Sequence, residues 1–183
     1  MTNTGVRAAI VILLGLLMGA TYWLAGENLR LPLGAAPMLT VTYLLGLYIG
    51  QRWEAAALGA VAGVTASAGY YLVGGGAPAA RILAVALIAA VLCALSAVLG
   101  AAPSEMRPWG AALTAGAWLG ELVVFRANTP IYWEIIAILA AILLIFLSLR
   151  DFRGKFVGAV LVVPMFAIIV IAWQTLVPML ALT

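Results

Sequence analysis

Residues 109–125 read WGAALTAGAWLGELVVF, an apolar run broken by one carboxyl side chain, Glu121. A helix needs about 20 apolar residues to cross the hydrocarbon core of a bilayer, and this run approaches that length. Six more runs of the same kind lie at 8–26, 34–51, 55–74, 82–101, 131–149 and 156–180. Charged residues, proline or glycine separate them. None shows the short apolar/polar alternation of an outer-membrane barrel strand. Helices satisfy their own backbone groups in lipid, so each run is read as a helix. The expected fold is all-α: a polytopic transmembrane helical bundle of about seven spans, forming one integral membrane domain over residues 1–183. The second run is the shortest, and Pro37 marks the place where its helix proper begins. Pro164 lies inside the long seventh run, where proline can kink a helix.

Composition sets the solvent. The chain has 183 residues, 67% of them hydrophobic and 8% charged. A soluble domain carries about 25% charged residues, so lipid must cover much of this surface. The net charge of +3 comes with no basic cluster, and no nucleic-acid partner is expected. There is no histidine, which removes imidazole ligation and histidine general-base chemistry. Cys93 is the single cysteine and reads as a small packing residue within a span. Zinc, haem-thiolate and iron–sulfur sites lack ligands, so neither metal nor cofactor is expected. Phosphate loops, dinucleotide fingerprints and HExxH are absent. No lysine lies within a span to carry a retinal Schiff base. The first run ends in the bulky Tyr22-Trp23-Leu24-Ala25, unlike a signal-peptide cleavage site, and reads as a retained span.

The short connections give an orientation. Arg7, Arg52, Arg107, Arg150, Arg153 and Lys155 fall on one side, and Arg30, Arg81 and Arg126 on the other. The excess of basic residues marks the first side as cytoplasmic. The chain is therefore expected in the cytoplasmic (inner) membrane as a multi-pass protein, N-terminus in and C-terminus out.

Gly15/Gly19, Gly46/Gly50, Gly59/Gly63 and Gly116/Gly120 repeat at spacing four, with Ser67 extending the third row. Such rows let helix backbones approach closely. They are read first as packing within the chain. A homo-oligomer or a partner membrane subunit is the other use of the same pattern.

Glu121, Arg126 and Glu134 are the charged residues that stand out. Glu121 lies about 7 Å deeper than Arg126, and Glu134 about 6 Å inside the next span, at 1.5 Å per residue. Both carboxyl groups are expected at one depth in the outer leaflet, with Arg126 over them. Trp118 and Phe125 share the helix face of Glu121. Tyr70, Tyr71, Arg81 and Gln174 are expected near the same level. Three readings stay open: an ion-pair cluster that fixes two helices, a substrate or coupling-ion site of a protein that binds or transports a small molecule or ion, alone or within a larger membrane complex, and an intramembrane enzyme. The enzyme would act on a lipid or isoprenoid, with Glu121 or Glu134 as general acid.

Two resemblances bear on this. Ala36-Pro37-Met38-Leu39 through Tyr43-Leu44-Leu45-Gly46, then Arg52, then an Ala/Gly-rich span ending Gly69-Tyr70-Tyr71, resembles a family of small multispan actinobacterial proteins without assigned function. Ala115-Gly116-Ala117-Trp118-Leu119-Gly120-Glu121 is similar to that family's small-residue span. The resemblance implies a compact bundle in the cytoplasmic membrane. Glu121-Leu122-Val123-Val124-Phe125 resembles a segment in substrate-binding components of vitamin transporters. Those have six spans with both termini inside, against seven in this chain.

Overall fold

The computed structural model describes residues 4–29, 34–125 and 130–181, without the side chains of 27–29 and 176–181. Its elements are seven helices: α1 (Thr4–Leu29), α2 (Ala36–Ile49), α3 (Arg52–Val73), α4 (Ala79–Gly100), α5 (Arg107–Val124), α6 (Ile131–Ser148) and α7 (Phe152–Ala181). There is no strand among the described residues. The expected all-α bundle is what the chain forms. Each apolar run became one helix, with boundaries moved by a few residues.

Five helices, α1, α3, α4, α6 and α7, are long and apolar enough to cross a membrane. The other two depart for different reasons. Helix α2 has 14 residues and is about 21 Å long, short of a roughly 30 Å hydrocarbon core. Helix α5 is less apolar because it faces protein rather than lipid. Most of its residues are buried, including Ala111, Ala115, Ala117 and Trp118. The peripheral helices show the reverse. Leu139, Leu143, Phe146 and Leu147 of α6 are exposed, as are Val160, Val163, Ile168 and Ile171 of α7. An exposed apolar face of this extent suits a lipid environment. Helix α7 continues through Pro164 without a break.

Helices of like direction pack together. Helix α1 lies on α3, α2 on α4, and α5 on α7, while α3 and α4 form the closest antiparallel pair. Helix α5 also touches α2, α4 and α6, so it stands at the centre. Helices α6 and α7 follow one another in sequence but hardly meet. Chain direction alternates from one helix to the next.

The small-residue rows are consumed by these contacts. A Cβ on Gly19 would lie 1.9 Å from the Ala66 carbonyl oxygen, and one on Gly46 1.9 Å from that of Ala97. Gly63 faces the Ala89 backbone in the same way, and Gly116 the Phe166 amide. Gly50 differs: it has open space around it and φ of 71°, and it ends α2 in the left-handed conformation that glycine adopts freely. Buried hydroxyls close the polar accounts locally. Thr42 and Thr114 donate to carbonyls of their own helices, and Ser96 donates across to Leu39 O at 2.8 Å. At the opposite end from Glu121, Arg7 pairs with Glu54 at 2.9 Å, joining α1 to α3. There Asp151 Oδ2 accepts from Gly154 N–H at 2.7 Å and caps α7.

Gly19→Ala should lower the thermal midpoint in detergent strongly, by an amount equivalent to about 2–3 kcal/mol, because backbone blocks the new methyl. Gly120→Ala should cost less than half as much, since its nearest neighbour is the Ile169 side chain at 2.8 Å. Equal losses at the two positions would contradict this packing.

Candidate functional site

Glu121 belongs to the last turn of α5 and is only 2% exposed. Its Oε1 accepts a hydrogen bond from Ala36 N–H at 2.7 Å, and the Ala35 amide also acts on it. These amides open the short helix α2. The first amides of a helix have no partner within the helix, and they need one when buried. Pro37, next in line, has no N–H to satisfy. Leu39 N–H already bonds Ala35 O. The carboxyl group therefore takes the position that an Asp or Ser cap usually fills from within the chain. Ala35 itself supplies no side-chain cap.

One turn earlier on α5, Trp118 Nε1 donates to Thr40 Oγ1 at 2.9 Å, and Thr40 donates to Ala36 O at 2.9 Å. Trp118 also packs against Trp133 of α6, with ring centroids 5.6 Å apart. Residues 118 and 121 thus hold the first turn of α2 against α5. Gly34 completes the arrangement, because a Cβ there would lie 1.8 Å from the Glu121 carboxyl carbon.

A cavity of about 410 Å³ opens beside this clamp. Every helix except α6 contributes to its wall. Helix α4 presents Val85, Ile88, Ala89, Leu92 and Cys93, the spacing of a single helix face. Helix α5 presents Leu113 and Ala117, and Glu121 is the next residue of that row. Glu121 is nevertheless absent from the wall. Gly34 and Ala35 line the cavity in its place, between the carboxyl group and the space. The polar character of the wall comes from Tyr22, Ser67, Tyr70, Tyr71 and Trp173, and no charged residue lines it.

The residues singled out from sequence separate into groups. Tyr70 and Tyr71 line the cavity. Arg81 lies one turn beyond Val85 on the same face of α4, and Tyr71 feels its charge. Its Nε is buried without a hydrogen-bond partner. Trp118 and Glu121 join α5 to α2 and stand behind the wall. Glu134, in the first turn of α6, is half-buried and has no ion pair or side-chain hydrogen bond among the described residues. Gln174 is exposed on α7, while its neighbour Trp173 lines the cavity and meets the Phe125 ring at 5.8 Å. Arg126 lies outside the described residues, and so does the expected cluster as far as it depends on it. Between the two glutamates themselves no contact forms.

Tyr22, Gly34 and Ala35 were not legible as site residues. Tyr22 reads as an interfacial aromatic, and Gly34-Ala35 as the lead-in to a span. The available signal was the shortness of the second run together with Pro37, which marks a helix starting below the others.

Glu121→Leu should destabilise the fold by about 3 kcal/mol, because buried amides of α2 lose their acceptor. Glu121→Gln keeps an accepting oxygen and should lose much less. Gly34→Ala should be strongly destabilising alone and much milder combined with Glu121→Ala, which clears the space for the new methyl. Thermal unfolding of these variants and of Glu121→Ala alone in one detergent measures both effects, and additive losses would refute the contact. No protein-family model, curated protein or solved structure matches this chain.

Proposed function

We propose that this chain is an integral protein of the cytoplasmic membrane that binds, and in a larger membrane complex passes on, a small and largely apolar molecule. The observation carrying this reading is the cavity of about 410 Å³ between α1–α5 and α7. Ligand sites in proteins typically span roughly 300–1,000 Å³, are mainly apolar and hold a few polar groups for orientation. This cavity has that size and that wall. Close glycine contacts join α1 to α3 and α3 to α4 beside it. The exposed faces of α6 and α7 leave room for a partner subunit. The resemblance to substrate-binding components of vitamin transporters supports the same class of function.

A coupling-ion site at Glu121 is less favoured, because backbone amides already occupy that carboxyl group. An intramembrane enzyme with Glu121 as general acid is disfavoured by the same contact and by Gly34 and Ala35, which stand between the acid and the cavity.

Protein purified in mild detergent should release a defined low-mass apolar compound on solvent extraction, detected by mass spectrometry. Val85→Trp, which fills the cavity from α4, should reduce that compound at least tenfold while bulk lipid stays constant. Equal recovery from both proteins would overturn the binding reading. The orientation is tested separately with terminal reporters. An N-terminal fusion should be active in the cytoplasm and a C-terminal one outside, and a cytoplasmic C-terminus would reject the topology.

A further inference from the structure

Arg7, Arg81, Arg107 and Lys155 are the partly buried cations among the described residues. All but Arg81 have a partner. Arg7 pairs with Glu54, Arg107 Nε donates to Ala102 O at 3.0 Å, and Lys155 stands over the Phe146 ring. Arg81 has no acceptor among the described residues. Its Nε is buried, while its terminal nitrogens make no hydrogen bond and keep accessible surface. A guanidinium held partly out of water without an anion is costly. The acids nearest in level do not answer it. Glu121 is taken by Ala36 N–H, and Glu134 lies on α6, which contributes nothing to the cavity wall.

Arg81 stands at one end of the cavity. It continues the α4 face formed by Val85, Ile88, Ala89 and Leu92, about 6 Å beyond Val85 along the helix. Side chains on a helix lean toward its N-terminus, so the guanidinium extends away from that apolar face. Tyr71, a wall residue in the last turn of α3, feels its charge. An apolar cavity and an unpaired cation therefore follow one another along α4. We propose that the cavity holds the hydrocarbon chain of a phosphate-headed amphiphile whose head binds the terminal nitrogens of Arg81. This rests on the binding reading above and narrows its substrate class. The wall has no charged residue, so the chain is the part that enters. The head stays at the end where the planar fork of the guanidinium matches two phosphate oxygens. The α4 wall from Val85 to Cys93 is about 12 Å long, room for one chain segment rather than a whole lipid.

The test is a matched pair of probes, decyl phosphate and decanol, which share a chain and differ in the head. Equilibrium dialysis against the full chain in non-ionic detergent measures binding above that of protein-free detergent. Arg81→Gln should weaken decyl phosphate about tenfold to a hundredfold, the range for hydrogen bonds to a charged group. Decanol should bind wild type and Arg81→Gln alike, which also reports that the cavity has survived the substitution. Inorganic phosphate at the same concentration should not displace decyl phosphate. Decyl phosphate binding that Arg81→Gln leaves unchanged, or that falls in step with decanol, overturns this inference alone. So does displacement by inorganic phosphate, which would mark an anion site without a chain, or binding of decanol only. Probe binding that Val85→Trp leaves unchanged, or no binding of either probe, overturns the binding reading as well.

Discussion

The contact between Glu121 and the first amides of α2 is the constraint from which the rest of the site follows. Helix α2 is short, and it begins where Ala36 and Glu121 are both buried away from water. Its opening amides need an acceptor there. The chain supplies one from α5, 85 residues away in sequence. With Trp118 and Thr40 one turn further along, the carboxyl group holds α2 against the central helix. The backbone before it, Gly34 and Ala35, then becomes a wall instead of a loop. A glycine is required at position 34 because the carboxyl group occupies the space beside it.

The cavity is a consequence of uneven packing. Glycines at 15, 19, 59 and 63 draw α1, α3 and α4 together over about half their length. Beyond Gly63 the glycine contacts of α3 turn to α1, through Gly69 against the Leu16 backbone, while Ala66, Ser67, Tyr70 and Tyr71 line the cavity. Trp173 from α7 and the Gly34-Ala35 backbone bound the space thus left. The positions of the charged groups agree with this division. Arg7 and Glu54 pair at the opposite end of the bundle, whereas Arg81 and Tyr71 stand by the cavity.

Much of the fold was legible because lipid imposes a simple rule on sequence. Seven apolar runs became seven helices, and the glycine rows became helix contacts, with Gly50 the exception because it ends α2. The same rule obscured the site. Apolar periodicity says where a helix crosses, but not which of its faces meets a neighbour and which meets a gap. Ala89 and Ala90 are equally apolar, yet only Ala89 lines the cavity. Glu121 was conspicuous as an acid without solvent, and it does have a special partner. That partner is backbone, which no side-chain pattern announces. Arg126 and Glu134 drew notice by the same reasoning from charge, and charge alone could not say that Glu134 makes no contact with Glu121.

Hydrogen exchange across α2 tests the central claim most directly. Peptides covering residues 36–49 would be followed in lipid nanodiscs for the wild type and for Glu121→Leu. Expected is faster exchange at the start of α2 in the variant, fading along the helix, with α3 and α4 unchanged. Unaltered protection of α2 in the absence of the carboxyl group would contradict the capping of that helix by Glu121.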